Sequence, residues 1–280
     1  MARSRSRTRG QYLTMLLGIL VLLLYLFPVF WMLSTSLKTR SDVFSIPPQL
    51  FPSPVVLGSY IESVLQSPPV LRALLNSLVI ASGTLLLTLL LGAPAAYGLA
   101  RLRLRFTVVI TLVLLLAQML PTINLALPLF VIFTEAGLVD TYLGLILANT
   151  ALAMPFAVII LRPFFLSVPG ELIDAARVDG CTPFGAFRRI ALPLVMPGLV
   201  TVGALAFVTA WGEFVFGLTL ATSEQMQPVS VALNRFIGQY GTRWADLMAV
   251  ATTAALPVIA IFAGLQRFIV GGLTAGATKE

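Results

Sequence analysis

The chain alternates long apolar runs with shorter polar segments. Each run is close to the roughly 20 residues that a helix needs to cross the hydrocarbon core of a bilayer. The runs are too long and too uniformly apolar for the strands of a membrane barrel, and a helix satisfies its own backbone hydrogen bonds in lipid. The pattern therefore predicts an all-α, six-helix transmembrane bundle in a single domain, residues 1–280. The predicted spans are about 14–36, 76–100, 107–134, 142–161, 198–222 and 247–270.

Two polar segments that connect these spans are long enough to form structured loops. The first, about Leu37–Leu75, carries six prolines and is expected to lie partly extended, because proline fixes φ and lacks an amide donor. The second, about Ser223–Asp246, is predicted to begin a short helix at Pro228 and to turn near Gly238 and Gly241. This second loop is a candidate contact for an external partner.

A polar, basic block from Val168 to Pro197 interrupts the apolar pattern. Leu172, Ala175 and Ala176 lie at i, i+3 and i+4, on one face of a predicted short helix. Gly180 follows where a left-handed helix C-cap needs a residue without Cβ. The 168–197 block is therefore predicted to begin with a short helix that ends in a glycine turn and presents a docking surface.

A second short helix is predicted to follow at once. Thr182 is a good N-cap and Pro183 suits the first helical turn. We expect the two phenylalanines, Phe184 and Phe187, to anchor the block to the spans. The predicted apolar side and end of this helix are Phe184, Phe187, Ile190, Pro193 and Pro197.

Composition indicates that lipid surrounds most of the chain. Hydrophobic residues make up 58% of the chain and charged residues 10%, with a mean hydropathy of +0.97, whereas soluble domains carry about 25% charged residues. With one cysteine, Cys181, and no histidine, the chain can form no internal disulfide, no His-based zinc site and no histidine general base. An enzyme would have to work without the commonest proton shuttle. The interpretation that we favour has no catalytic residue, no metal site and no enzymatic activity.

The basic residues predict how the chain is oriented. With both termini cytosolic, the inside segments hold 13 of the 18 Lys and Arg residues, including the cluster Arg101, Arg103 and Arg105. Basic residues favour the cytosolic side, so both termini and the 168–197 block are predicted to be cytosolic. The net charge of +7 then reflects topology near anionic lipid headgroups, and no nucleic-acid partner is expected. The five residues outside are Lys38, Arg40, Arg72, Arg235 and Arg243.

The first span has a second interpretation as a cleaved signal peptide. Arg3, Arg5, Arg7 and Arg9 precede it and form a basic leader. Its apolar run is longer than a typical signal sequence, and no small-residue A-x-A site follows it. We therefore expect this helix to be retained.

The 168–197 block also carries a motif. Residues 174–180 (DAARVDG) and 190–193 (IALP) resemble the E-A-A-x-x-x-G signature of permease subunits of binding-protein-dependent ABC importers. Asp174 departs from the family's usual Glu, and Gly212 stands where Asn is common. Further matches are similar to the smaller permease subunit of maltose-type sugar importers. They are Asn76-Ser77, Ala95–Arg101, Trp211–Phe214, Gln239–Gly241 and Gly272–Lys279.

The resemblance implies that the block couples the spans to an ATPase. In such importers a short cytosolic coupling helix sits in a cleft of the ATPase and passes its motion to the membrane helices. The implied partners are a second permease subunit in a heterodimer, an ATPase dimer that binds ATP and Mg, and an extracytoplasmic sugar-binding protein, at the bacterial plasma membrane. The implied coupling residues are Glu171, Asp174, Ala175, Ala176, Asp179, Gly180, Thr182, Phe187 and Pro193.

The positions of the two lysines indicate, without any reference to the family, that this chain does not carry the ATPase. A P-loop needs a Gly-Lys-Ser/Thr sequence, but Lys38 follows Leu37 and Lys279 follows Thr278. The chain therefore cannot hold this nucleotide site, and no cofactor is expected in it. ATP has to be hydrolysed by another polypeptide.

Polar residues inside the predicted spans are candidates for the substrate pathway. A carboxylate at membrane depth is costly and usually faces a cavity or a polar partner, and Glu213 lies beside Trp211 and Phe214. The alternative is that such groups form interhelical hydrogen bonds, worth on average about 0.6 kcal/mol each. The candidates are Gln118, Asn124, Asn149, Trp211 and Glu213.

Three functions are compatible with the sequence. The favoured one is the permease subunit of an ATP-driven sugar importer, forming half of the translocation pathway. The alternative is an ion-gradient-driven secondary transporter with Glu213 as proton carrier. This alternative does not explain the cytosolic block. A membrane-embedded enzyme is the third, and it would lack both histidine and a paired carboxylate motif. The sugar follows from the resemblance only.

Overall fold

The computed structural model describes the backbone of residues 2–102, 105–238 and 241–275, with side chains from residue 14 to residue 266 within these ranges. The sequence-based predictions that involve Arg103, Gln239, Tyr240 and the end of the 272–279 match lie outside the described residues. So do the side chains of the N-terminal arginines.

The described chain is mainly helical, as predicted. A single small hairpin, which was not predicted, pairs Ile237 with Thr242 and Gly238 with Gly241 within the described residues. The helices are α1 (Ala2–Ser36), α2 (Gly58–Tyr60), α3 (Pro68–Arg101), α4 (Thr107–Gln118), α5 (Thr122–Glu135), α6 (Tyr142–Ser167), α7 (Gly170–Val178), α8 (Pro183–Ala186), α9 (Leu192–Leu194), α10 (Met196–Gly212), α11 (Val215–Leu220), α12 (Val229–Asn234) and α13 (Trp244–Ala275). The remaining elements are a 3₁₀ turn (Asp42–Phe44), π-helical turns (Ile61–Leu65 and Phe187–Ala191) and strands β1 (Ile237–Gly238) and β2 (Gly241–Thr242).

Four described helices are each long and apolar enough to cross a bilayer. They are Thr14–Ser36, Pro68–Arg101, Tyr142–Ser167 and Trp244–Gln266. Two bent helix pairs raise this number to six if each pair forms one span: α4 with α5, bent by 98°, and Pro183–Leu194 with α10, bent by 79°. The described chain therefore has four to six candidate spans.

Two predicted spans are not continuous helices. The third, 107–134, breaks between Gln118 and Thr122, because Pro121 adopts an extended conformation and disfavours helix at the residue before it. The fifth, 198–222, ends as α10 at Gly212, and α11 follows as a separate helix. The first break bends the chain by 98°, an angle that a hydropathy pattern does not encode.

The predicted outer loop 37–75 is shorter than expected. The helix predicted from Asn76 begins at Pro68, eight residues earlier, because the missing amide of a proline costs nothing in the first helical turn. Asn76 and Ser77 therefore lie inside α3. The fourth predicted span also continues beyond Leu161 to Ser167.

The chain divides into two compact units: residues up to Val70 with Arg235–Ala255, and Leu71–Asn234 with the residues from Leu256 onward. In the first unit, Asp246 is fully buried. Its carboxylate accepts from Arg243 at 2.8 Å and pairs with Arg40 at 3.2 Å. This ion-pair cluster ties the start of α13 to the loop after α1.

Two hydrophobic clusters of described residues lie in the second unit. The first joins α3, α6, the 168–197 block and α10 around Leu161, Phe165 and Val202. The second joins α3, α5, α6 and α11 around Leu145 and Phe216. Through the first cluster, the 168–197 block packs against α3, α6 and α10.

Candidate functional site

Helix α7 ends in a complete Schellman motif. Gly180 has φ +87°, the left-handed conformation that was predicted for it. The Cys181 amide donates to the Ala176 carbonyl at 2.9 Å, and the Gly180 amide donates to the Arg177 carbonyl at 3.1 Å. These two bonds satisfy carbonyls that a helix end would otherwise leave unpaired. We call the turn at residues 179–182, between α7 and α8, the elbow. Backbone hydrogen bonds hold its first half.

The second half of the block begins as predicted and continues differently. The Thr182 hydroxyl accepts from the Gly185 amide at 3.0 Å, and Pro183 starts α8. The helix then passes through the π-helical turn Phe187–Ala191 into α9. This helical segment ends at Leu194, one residue after Pro193 and three before Pro197, and the chain bends there by 79° into α10. The predicted end is therefore confirmed to within one residue.

One of the two phenylalanines anchors the block. The Phe187 ring lies 4.9 Å from the Tyr97 ring and 6.1 Å from the Phe165 ring, centroid to centroid, and Phe187 is 8% exposed. Phe184 is 68% exposed, so the prediction that it would also anchor the block is wrong. The anchor is an aromatic seat formed by Tyr97, Phe165 and Phe187.

Backbone contacts near the seat tie the block to α3. The Arg101 guanidinium donates to the carbonyl of Val168, the first residue of the block. Arg162 donates to the Leu99 carbonyl at 3.4 Å. The basic residues that were predicted to mark topology therefore also brace the end of α3 against α6 and the block.

Most predicted coupling residues share the exposed surface of the block. Ala176 and Phe187 are buried, whereas the others point outward. Around the elbow lies a recess of about 370 Å³ whose lining includes Arg188, Arg189 and Phe184. The exposed members are Glu171, Asp174, Ala175, Asp179, Gly180, Thr182 and Pro193. A rigid, exposed, mixed-charge surface mounted on a buried aromatic seat is suited to docking a protein.

The largely apolar cavity beside the membrane helices measures about 400 Å³. It is lined by residues of α4, α5, α6, α10 and α11, and its polar groups come from Gln118, Thr122 and Thr209. Of the five predicted pathway residues, only Gln118 lines it. Thr122 and Thr209 were missed, because a threonine in an apolar run usually bonds to its own helix, as Thr209 does to the Leu205 carbonyl.

Three predicted pathway residues lie elsewhere. Asn124 is exposed on α5. Asn149 is buried and donates to the Leu145 carbonyl of its own helix at 2.9 Å. Trp211 is buried and stacks on Phe207, with ring centroids 5.6 Å apart. The structure therefore does not gather these side chains at one site.

Glu213 caps a helix. Its carboxylate accepts from the Phe216 amide at 2.9 Å and from the Gly217 amide at 3.2 Å, at the N-terminus of α11. Its backbone carbonyl accepts from the Ser230 hydroxyl at 2.7 Å. An anionic acceptor at a helix N-terminus is favourable. The carboxylate therefore stabilises the start of α11, at the break between α10 and α11.

The cap predicts how Glu213 variants behave. Glu213→Ala removes the acceptor and should cost about 0.5–2 kcal/mol, so less complex should assemble. Glu213→Gln keeps one carbonyl acceptor and should assemble normally with an unchanged KM for uptake. Quantifying purified complex and uptake kinetics for both variants tests this. A raised KM in a normally assembled Glu213→Gln complex would instead support a role in the substrate pathway.

The described chain is a mainly helical membrane protein with a cavity among its helices and an exposed helical elbow packed on them. The chain belongs to the family described as the binding-protein-dependent transport system inner membrane component, which matches residues 88–274. This family consists of permeases, a non-enzymatic class. The protein is therefore an ABC transporter permease of the bacterial inner membrane, as the motif predicted, and an ion-driven secondary transporter is not favoured.

Relatives and solved structures agree with this assignment. The chain is 34% identical over 96% of its length to the sulfoquinovosyl glycerol transport system permease protein SmoH of Agrobacterium fabrum, of which it covers 94%. It is 38% identical over 91% of its length to the trehalose transport system permease protein SugB of Mycobacterium tuberculosis, of which it covers 92%. A crystal structure of a bacterial ABC transporter involved in import of the acidic polysaccharide alginate has the same fold, with a TM-score of 0.78 and 20% identity over 94% of this chain and 97% of that one.

Proposed function

We propose that the protein imports a carbohydrate as one of two permease subunits in a complex with an ATPase dimer and an extracytoplasmic sugar-binding protein. The observation that carries this proposal is similarity over nine-tenths of the chain to permeases named for sugar transport. Sulfoquinovosyl glycerol and trehalose are the named substrates of SmoH and SugB. Both are polyhydroxylated molecules, so a carbohydrate is the substrate class we infer.

The exposed surface of the 168–197 block is the proposed ATPase contact. Its geometry supports this because the elbow is capped at Gly180 and Phe187 is held in the aromatic seat. A force on the elbow would reach α3 and α6 through Tyr97 and Phe165. The proposed contact residues are Glu171, Asp174, Ala175, Asp179, Gly180, Thr182 and Pro193.

The substrate pathway is proposed to run along the cavity that contains Gln118, Thr122 and Thr209. The Gln118 amide and the Thr122 hydroxyl can donate to and accept from sugar hydroxyls. The Thr209 hydroxyl, which donates to the Leu205 carbonyl, can still accept from them. The cavity accounts for half of a pathway. The second permease subunit would supply the other half, so a heterodimer is proposed.

Carbohydrate specificity is tested on the cognate binding protein. We expect its melting temperature to rise with a member of a sugar and glycoside library, and not with amino acids or peptides. The sugar that raises it should then stimulate ATP hydrolysis by the reconstituted complex through the binding protein. Stabilisation by amino acids alone, with matching stimulation, would contradict the carbohydrate assignment.

Six spans with both termini cytosolic are also proposed, supported by the distribution of basic residues. In a Cys181→Ser background, Leu50→Cys should react with an impermeant thiol reagent in intact cells, since Leu50 is 53% exposed in the proposed outer loop. Phe106→Cys, 67% exposed before α4, should react only after permeabilisation. The reverse labelling pattern would overturn this topology.

A further inference from the structure

Asn76 is a fully buried amide inside an apolar helix. Its Nδ2 donates to the Gln225 carbonyl at 2.8 Å and to the Gln227 carbonyl at 3.0 Å. Its Oδ1 accepts from the Tyr142 hydroxyl at 2.7 Å. A buried amide destabilises a fold unless it is hydrogen-bonded. The side-chain amide of Asn76 therefore binds two backbone carbonyls that lie about 150 residues later in the sequence.

Two neighbouring side chains hold the same stretch. The Ser77 hydroxyl accepts from the Val229 amide at 2.9 Å. The Asp140 carboxylate accepts from the Ser223 amide at 2.9 Å, and its own amide donates to the Leu220 carbonyl at 2.8 Å. We call Asn76, Ser77, Asp140 and Tyr142 the outer bracket, and residues 220–229 the held segment.

Asp140 adopts a left-handed backbone conformation where it meets the held segment. Its φ is +60°, which is uncommon for residues with a side chain but better tolerated by Asp than by most. In this conformation both its amide and its carboxylate bond to the backbone of the held segment. The bracket therefore fixes the backbone of a segment that has little regular structure of its own.

The held segment presents a polar surface beside a recess of about 540 Å³. The bracket binds backbone groups, so the side chains of Glu224 and Gln225 remain exposed. Arg72, also exposed, lines the same recess. The lining also includes Asp140, Leu75 and Met226. A concave surface that combines both charges, polar side chains and apolar contacts fits a protein better than lipid. The topology proposed above puts this side outside the cell.

We propose that Asn76 is a positioning residue that keeps the held segment in the conformation docked by the extracytoplasmic binding protein. The proposal rests on the proposed function for the existence of that partner. A segment already ordered before docking loses less conformational freedom on association. Loosening the bracket should therefore weaken docking without changing the ATPase or the coupling elbow.

The test uses Asn76→Asp in the assembled complex, reconstituted with its partner permease and ATPase. Aspartate keeps the size and the acceptor for Tyr142 but replaces both donors with an oxygen that faces two carbonyls. We expect the concentration of ligand-loaded binding protein that gives half-maximal ATP hydrolysis to rise about tenfold, as expected when buried polar groups lose their partners. The maximal rate should stay at the wild-type value.

Asn234→Asp is the matched control, because it makes the same change at an exposed position at the end of α12. It should leave the half-maximal concentration unchanged. An equal rise in both variants would assign the effect to charge and overturn the proposal. A reduced maximal rate at an unchanged half-maximal concentration would place Asn76 in transport and also overturn it.

Tyr142→Phe keeps the proposal testable if Asn76→Asp fails to assemble. It removes one bond to Asn76 and should raise the half-maximal concentration about threefold. A wild-type value in an assembled Tyr142→Phe complex would contradict the positioning role. If no ligand-loaded binding protein stimulates the wild-type complex, the proposed function itself fails. If the wild-type complex is stimulated and the bracket variants keep its half-maximal concentration, only the positioning role of Asn76 is contradicted.

Discussion

We expect Gly180→Val to abolish uptake and to uncouple or detach the ATPase. Gly180 has φ +87°, and nothing lies within 4 Å of the position a Cβ would occupy. The penalty is therefore backbone strain and not a clash. A β-branched residue in this conformation costs about 1–2 kcal/mol, and the chain can relieve that strain by opening the Schellman motif. The measurement is ATP hydrolysis by the reconstituted complex with and without binding protein.

Gly170→Val is the matched control within the same block. Gly170 also has open space around its Cβ position but lacks a positive φ, so this variant should retain much more activity. Asp174→Glu, which restores the residue usual in the family, should remain active. Wild-type uptake and wild-type stimulation in the Gly180→Val complex would show that the block is only a linker.

The second large effect is expected for Phe187→Ala. Phe187 is buried against Tyr97 and Phe165, and replacing a buried phenylalanine by alanine costs about 3–5 kcal/mol. The block should lose its aromatic seat and shift relative to the membrane helices, which stay folded. We expect ATPase still bound to the complex to hydrolyse ATP without stimulation by the binding protein, and uptake to fall to background.

Phe184→Ala is the control that distinguishes loss of the aromatic seat from loss of an exposed phenylalanine on the same block. Phe184 belongs to the same block but is 68% exposed, so its loss should leave the melting temperature of the complex unchanged. Phe187→Ala should lower that temperature. Equal thermal stability of the two variants, measured in the same detergent, would contradict the role of the aromatic seat.

The elbow could be predicted from the sequence because its determinants are local. The glycine turn at Gly180 depends on residues 176–181, and the Thr182 cap depends on Gly185 three residues away. Capping chemistry of this kind follows from residue type and spacing. The same holds for the apolar runs, whose length alone indicates membrane helices.

Which of the two phenylalanines is buried could not be predicted in the same way. A helical wheel puts Phe184 and Phe187 on one face, since they are three residues apart, and their rings do lie 6.0 Å apart. Only Phe187 reaches Tyr97 and Phe165, whereas Phe184 is 68% exposed. Periodicity gives the shared face but does not encode how far along it the membrane helices pack.

The outer bracket was beyond sequence reasoning for a different reason. Asn76 looked like the first residue of a span, because Pro68 and Pro69 were assigned to a loop. Its partners at Gln225 and Gln227 are about 150 residues away, and they bond through backbone carbonyls that carry no residue-type signal. The sequence shows an asparagine within an apolar run, but this pattern does not identify its hydrogen-bond partners.

Uptake into proteoliposomes distinguishes an ATP-driven importer from an ion-driven transporter most directly. The complex is reconstituted with the ATPase facing the lumen, the binding protein and labelled sugar outside, and ATP or a non-hydrolysable analogue inside. We expect uptake only with hydrolysable ATP and binding protein together, and no change when an ionophore collapses ion gradients. Uptake driven by an imposed proton gradient without ATP, and lost in Glu213→Gln, would contradict the assignment.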